Sequence, residues 1–149
     1  MVTITIDGKQ ISVDGRFIHT GSCTGADVKI PTLCYLKDVN EVGACKMCVV
    51  EVEGSRHLVT SCNTKVKEGM VVNTHSERVV NSRKQVLNML LANHDVRCFS
   101  CSKSGDCRLQ DLSNEYGITK SCYPGSAAKL KRKKRILSDV LSGAVHQLS

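Results

Sequence analysis

The sequence predicts an α+β fold with its strands first and its helices after. Residues 2–13 alternate apolar and polar side chains about an Asp-Gly pair, the pattern of a β-hairpin. Residues 74–93 carry apolar side chains at helical spacing behind a capping-box pattern. Nine cysteines, two pairs of them as Cys-x-x-Cys, gather mainly into one group in each part.

The elements follow in chain order. Val2–Ile6 and Gln10–Val13 form the hairpin, closed by Asp7-Gly8. Residues 14–25 have no clear pattern. Pro31–Cys45 reads as a loop with small residues at Gly43 and Ala44. Cys48–Val52 is apolar and β-branched, hence a strand, and Glu53-Gly54 turns the chain. Leu58–Ser61 and Met70–Val72 are further short strands. Thr74-x-x-Glu77 is expected to cap a helix reaching about Asn93, with Val79, Val80, Val86, Leu87, Leu90 and Leu91 as its apolar positions. His94 follows its end. Arg108–Tyr116 makes a shorter helix, with Leu109, Leu112 and Tyr116 on one side and Gly117 as its stop.

Composition narrows the function. With no Trp, two Phe and three Tyr among 149 residues, the aliphatic core is modest, and chains this small often use bound metal to supplement it. No signal peptide and no apolar run of bilayer length is read, so a cytoplasmic, reducing setting is expected, where clustered cysteines mean metal or redox chemistry. The net charge of +7 is concentrated: six of the 21 Lys and Arg fall in 129–135, leaving 15 against 14 acidic residues. A basic body that grips nucleic acid is not described, and neither is membrane insertion.

The first cysteine group is Cys34-x10-Cys45-x2-Cys48-x13-Cys62. Four thiolates suit two sulfide-bridged irons, two to each iron, and the Cys-x-x-Cys hairpin can supply adjacent ligands on one side. Gly43 and Ala44 would let backbone N–H groups approach the sulfur atoms and help set the reduction potential. A four-cysteine zinc site takes the same ligands. A thioredoxin-type pair at Cys45 and Cys48 lacks the surrounding βαβ pattern.

The second group is His94-x3-Cys98-x2-Cys101-x5-Cys107. A histidine after a helix is usually a polar cap, but three cysteines in the next 13 positions change its meaning. Three thiolates and one imidazole fill the four positions of a [4Fe–4S] cubane, and the neutral imidazole should raise its potential. Zinc held by three Cys and one His is the alternative. Cys23 and Cys122 are left without a role, and His19, His57, His75 and His146 read as solvated surface residues.

Several stretches resemble the N-terminal region of [FeFe]-hydrogenases: Pro31-Thr-Leu-Cys34, Leu36 through Cys45, Met47-Cys48-Val-Val-Glu-Val and Ser61-Cys62-Asn-Thr. Asn93-His94-Asp, Cys98-x-x-Cys101 and Gly105-Asp-Cys107-x-Leu-Gln110 extend the likeness. The same two modules occur in the large peripheral iron–sulfur subunit of respiratory complex I and in NAD(P)-linked hydrogenase and formate dehydrogenase subunits. The resemblance spans roughly residues 1–120. It implies a β-grasp [2Fe–2S] ferredoxin-like domain over 1–76, with Cys34, Cys45, Cys48 and Cys62 as ligands. A small helical domain over 77–120 would follow, its [4Fe–4S] cluster held by His94, Cys98, Cys101 and Cys107.

The resemblance further implies an electron-transfer subunit that relays single electrons, or a truncated fragment of a longer protein of that family. Its partner would be a flavoprotein or other NAD(P)H-oxidising subunit, a ferredoxin or a hydrogenase catalytic subunit. A zinc-stabilised binding module with no redox role is the alternative. The following two-cluster ferredoxin and catalytic domains of such hydrogenases are absent from the sequence, so no catalytic residue is assigned, and any oxidoreductase activity belongs to an assembly. Residues 18–24 lack the amphipathic helix the family carries there. Their permitted codons, read one base later, include Ser-Ile-Leu-Glu-Ala-Ala-Gln, and the codons of 135–145 behave similarly in another frame. A compensated pair of frameshifts near residues 17–25 and a second event before the tail are therefore expected, with 121–149 a disordered tail. A solvated tail and a nucleic-acid arm are the other readings of its basic run.

Overall fold

Val2–Ile6 (β1) and Lys9–Val13 (β2) pair antiparallel from Val2↔Val13 to Ile6↔Lys9, leaving a two-residue loop. Asp7 and Gly8 both take positive φ, 48° and 80°, as the tight turn of a right-twisted hairpin requires. The computed structural model describes residues 1–13, 18 and 28–123. The misfitting stretch 19–24, Cys23, His19, His146 and the tail beyond 123 lie outside the described residues.

Val49–Val52 (β3), Val59–Thr60 (β4) and Val71–Asn73 (β5) complete a five-stranded sheet in the order β2-β1-β5-β3-β4. The central β1–β5 pair is parallel, and β5–β3 and β3–β4 are antiparallel. Alternation puts Ile4 and Ile6 of β1 and Ile11 and Val13 of β2 on one face. There they pack with Ile18, Ile30, Val50, Val66 and Val72. Cys48 and Cys62 belong to this same buried cluster.

Glu77–Ala92 (α1) packs on β3, and Arg108–Glu115 (α2) packs on α1. The expected capping box does not form. Ser76 is the N-cap, its hydroxyl accepting from the Val79 amide at 3.4 Å. Thr74 is already engaged: its amide and hydroxyl donate to the two carboxylate oxygens of Asp7 in the hairpin turn, at 2.7 and 2.5 Å. Val79, Val86, Leu87 and Leu91 are buried as their spacing predicts, whereas Leu90 keeps 37% of its surface exposed. After α2, Gly117 takes φ 68°, and the amides of Gly117 and Ile118 return to the carbonyls of Asn114 and Ser113. This is a Schellman closure that drops Ile118 into the core. Ser121 and Cys122, placed in the tail by the sequence, bond to the carbonyl and side chain of Asn88 on α1. Among the described residues, no helix is long and apolar enough to cross a membrane.

Candidate metal centres

The first four cysteines stand where the 31–45 loop, the start of β3 and the end of β4 meet. Cys48 directly precedes β3, and Cys62 lies just beyond β4. Pairing of Val49 with Thr60, continued by the bond from the Ser61 amide to the Cys48 carbonyl at 3.0 Å, brings the two sulfurs together. They are 3.3 Å apart and fully buried. Cys34 and Cys45 form the second pair, half-buried, with the Cys45 amide donating to the Cys34 sulfur at 3.4 Å.

Where the sequence suggests Cys45 and Cys48 as neighbours on one side of a cluster, the contacts in the structure join Cys45 to Cys34 and Cys48 to Cys62. The cause lies between them. Lys46 takes a left-handed φ of 58°, so the chain reverses and aims the Met47 amide at the Cys45 sulfur, 3.4 Å away. The same reversal sends the Met47 side chain into the helical core, where it is fully buried. Gly43 makes the approach possible. Its φ is 65°, and a Cβ there would stand 2.9 Å from the Thr60 hydroxyl oxygen. The small residue thus admits β4 and the Thr60–Asn63 turn rather than only the sulfurs.

Electrostatics differ across the four. Burial pushes the Cys62 thiol up to about 12, with the Cys48 thiol beside it and the charges of Cys34 and Cys45 adding to the effect. Burial also acts on Cys45, but hydrogen bonds from the Met47, Cys34 and Leu33 backbone and from the Cys34 thiol outweigh it and hold this thiol below its ordinary value. The charges of Cys34 and Cys45 are felt at Cys62, so ionising all four thiols together calls for a positive centre near them. The donor set fits a [2Fe–2S] group: all sulfur, arranged as two pairs, with backbone N–H groups on the sulfurs of Cys34 and Cys45.

The second set is strung along one segment between the helices. His94 follows the C-cap Asn93 of α1 and is exposed, its amide held by the Leu91 carbonyl at 3.3 Å. Cys98 opens a single 3₁₀ turn that Cys101 closes, the Cys101 amide bonding the Cys98 carbonyl at 3.2 Å. Cys107 is the N-cap of α2, and its thiol makes no capping bond. Cys98 and Cys107 are half-buried and Cys101 is exposed. No hydrogen bond joins any two of these four side chains among the described residues. Nor do three Cys, His, Asp or Glu side chains there gather closely enough to hold a single metal ion. Three thiols and an imidazole are still the chemistry a [4Fe–4S] group takes. The segment is anchored at both ends, by α1 on one side and by the bond from the Gly105 amide to the Gln110 side chain on the other.

Of the remaining candidates, Cys122 is exposed, its amide bonded to the Asn88 side chain. His57 is exposed, and His75 is exposed with Nδ1 2.6 Å from the Thr74 hydroxyl. Sequence reasoning missed Arg83. It lies on the apolar stripe of α1, four residues after Val79 and four before Leu87, and is fully buried. That position was the signal, and its polarity hid it.

Comparison with known proteins accords with the geometry. The 2Fe-2S iron-sulfur cluster binding domain family matches residues 1–77, and the NADH-ubiquinone oxidoreductase-G iron-sulfur binding region matches 83–121. NADP-reducing hydrogenase subunit HndD of Solidesulfovibrio fructosivorans is 46% identical over 138 residues, which is 89% of this chain and 24% of that protein. NADPH-Fe(3+) oxidoreductase subunit alpha of Geobacter sulfurreducens is 40% identical over 134 residues, 90% of this chain and 16% of that one. The crystal structure of an NAD+-reducing [NiFe]-hydrogenase in the H2-reduced state superposes with a TM-score of 0.72 at 32% identity, covering 82% of this chain and 51% of that one. The chain thus spans about a quarter or less of the length of these curated relatives. With a [2Fe–2S] binding domain over its first half and a [4Fe–4S] binding region behind it, the chain belongs to the 2Fe-2S iron-sulfur cluster binding domain family.

Proposed function

We propose that the chain relays single electrons between two iron–sulfur clusters. Cys34, Cys45, Cys48 and Cys62 would hold a [2Fe–2S] cluster in a domain of residues 1–76. His94, Cys98, Cys101 and Cys107 would hold a [4Fe–4S] cluster in residues 77–120. Each cluster, when bound, supplies a reversible one-electron couple.

One observation carries this reading. A single apolar cluster of Met47, Val86, Leu87, Leu91, Leu112 and Ile118 has Cys45 and Leu109 packed against it. Residues beside the first ligand set and residues just after Cys107 thus share one apolar core. The chain's own contribution is positional. Lys46 and Gly43 turn the backbone, the amides of Cys45 and Met47 donate to sulfur, and the aliphatic cluster packs the two segments together.

The relay would serve a hydrogenase or NAD(P)H dehydrogenase type assembly, with a flavoprotein or NAD(P)H-oxidising subunit, a ferredoxin or a hydrogenase catalytic subunit as its redox partner. The names of the relatives support this. A cytoplasmic, reducing setting belongs to the same proposal, and the eight described cysteines are all free thiols.

Anaerobic purification with iron and sulfide analysis tests it. About six irons per chain are expected, two plus four, with two distinct EPR signals after reduction. A colourless protein containing zinc, or a single cluster type, would refute it.

A further inference from the structure

Arg83 is fully buried, and among the described residues it has no carboxylate partner. One terminal guanidinium nitrogen donates to the Val49 carbonyl at 2.7 Å, and the other bonds the Tyr116 hydroxyl at 3.1 Å. Its Nε is buried with no hydrogen-bond partner. Among the described residues, the ion pairs present involve other cations, and no carboxylate pairs with Arg83. A guanidinium keeps its charge at any accessible pH, and an uncompensated buried cation is costly. Among the described residues, then, no side-chain carboxylate supplies the anion this charge calls for.

The hydrogen bonds indicate where that anion belongs. Val49 directly follows Cys48 and pairs with Thr60, two residues before Cys62. Arg83 is thus tied to the strand pair that carries the buried sulfurs. At its other end, Tyr116 is the C-cap of α2, while Cys107 is the N-cap. The length of α2, about 12 Å, separates that end from the second set.

We propose that Arg83 sets the reduction potential at the first site, its buried positive charge offsetting the thiolates of Cys34, Cys45, Cys48 and Cys62. This rests on the reading of those four cysteines as [2Fe–2S] ligands. Reduction there adds one electron from an external donor and one negative charge, with no bond made or broken. A fixed cation in a low-dielectric core stabilises the reduced form more than the oxidised one, so Arg83 raises the potential. The [4Fe–4S] potential responds less, because Coulomb attraction falls with distance.

The test is an EPR-monitored dithionite titration of the full chain, reconstituted with iron and sulfide, in wild type, R83Q, R83M, R83K and Y116F. The neutral variants R83Q and R83M should carry full iron with a more negative [2Fe–2S] midpoint and a smaller change at [4Fe–4S]. R83K and Y116F keep a cation and should stay near wild type. An unchanged [2Fe–2S] midpoint in iron-loaded R83Q overturns the proposal, as does an equal displacement of both clusters. Should the neutral variants fail to fold, R83K decides: a midpoint near wild type supports the charge role, and one far below it refutes that role. Absence of any [2Fe–2S] signal in wild type is a different failure, that of the ligand assignment itself.

Discussion

The sulfurs of Cys48 and Cys62 lie 3.3 Å apart in the fully buried floor of the first site, although 14 positions separate them in the chain. The β3–β4 pairing makes this contact, and it divides the Cys-x-x-Cys motif between two pairs.

Cys62→Ser should abolish the [2Fe–2S] signal and about two of the irons while the [4Fe–4S] signal persists, because the two ligand sets lie on separate segments. Iron analysis and EPR of the reduced variant check this. Simultaneous loss of both signals would contradict two independent sites.

At the second site, with His94 as the proposed ligand, His94→Cys would replace a neutral ligand with an anionic one. The variant should keep its [4Fe–4S] cluster and show a more negative midpoint there, with the [2Fe–2S] potential little changed. His94→Ala should lose the cluster outright. A redox titration of both variants distinguishes these outcomes, and a His94→Ala protein with a full, unaltered [4Fe–4S] signal would remove His94 from the ligand set.

Gly43 meets two constraints at once, a left-handed φ of 65° and a contact of 2.9 Å from a built Cβ to the Thr60 hydroxyl oxygen. Gly43→Ala should cost about 2 kcal/mol or more, the sum of backbone strain and overpacking. Gly54 also has positive φ, at 78°, but faces open space, so Gly54→Ala should cost only about 1 kcal/mol. Urea midpoints of the two variants give the comparison, and equal losses would mean that the Thr60 contact is unimportant.

Glu51 ties β3 to the start of α1. Its carboxyl is held below the usual range chiefly by the Ser76 hydroxyl, with burial acting the other way and Arg78 lowering it further through a 2.7 Å bond. A depressed carboxyl stabilises the fold above its unfolded value, and that contribution is lost as pH falls through the folded one. The stability gap between wild type and Glu51→Gln should therefore be full near neutrality and close in acid, below about pH 4.3. Denaturation at several pH values measures it, and a gap that widens in acid would reverse the sign argued here.

Much of the molecule was legible because its signals are local. The hairpin register follows from a two-residue Asp-Gly loop, and α2 ends where Gly117 can adopt a left-handed backbone. The start of α1 was misread because the hydroxyl that would have capped it is claimed by Asp7, 67 positions away. The pairing of the cysteines was not legible either. Spacing counts residues, but the turn at Lys46 and the strand pairing beyond it decide which sulfurs meet.

By itself the sequence determined the ligand chemistry and the order of strands and helices, since alternation, helical period and turn residues act over a few positions. Only the tertiary structure decided that Cys48 faces Cys62, that Asp7 holds Thr74, and that the one polar side chain on the apolar stripe of α1 reaches Val49. Those contacts depend on the sheet order β2-β1-β5-β3-β4 and on packing between its layers. Distant segments meet there through burial of apolar surface, which has no direction of its own and leaves no period in the chain to read.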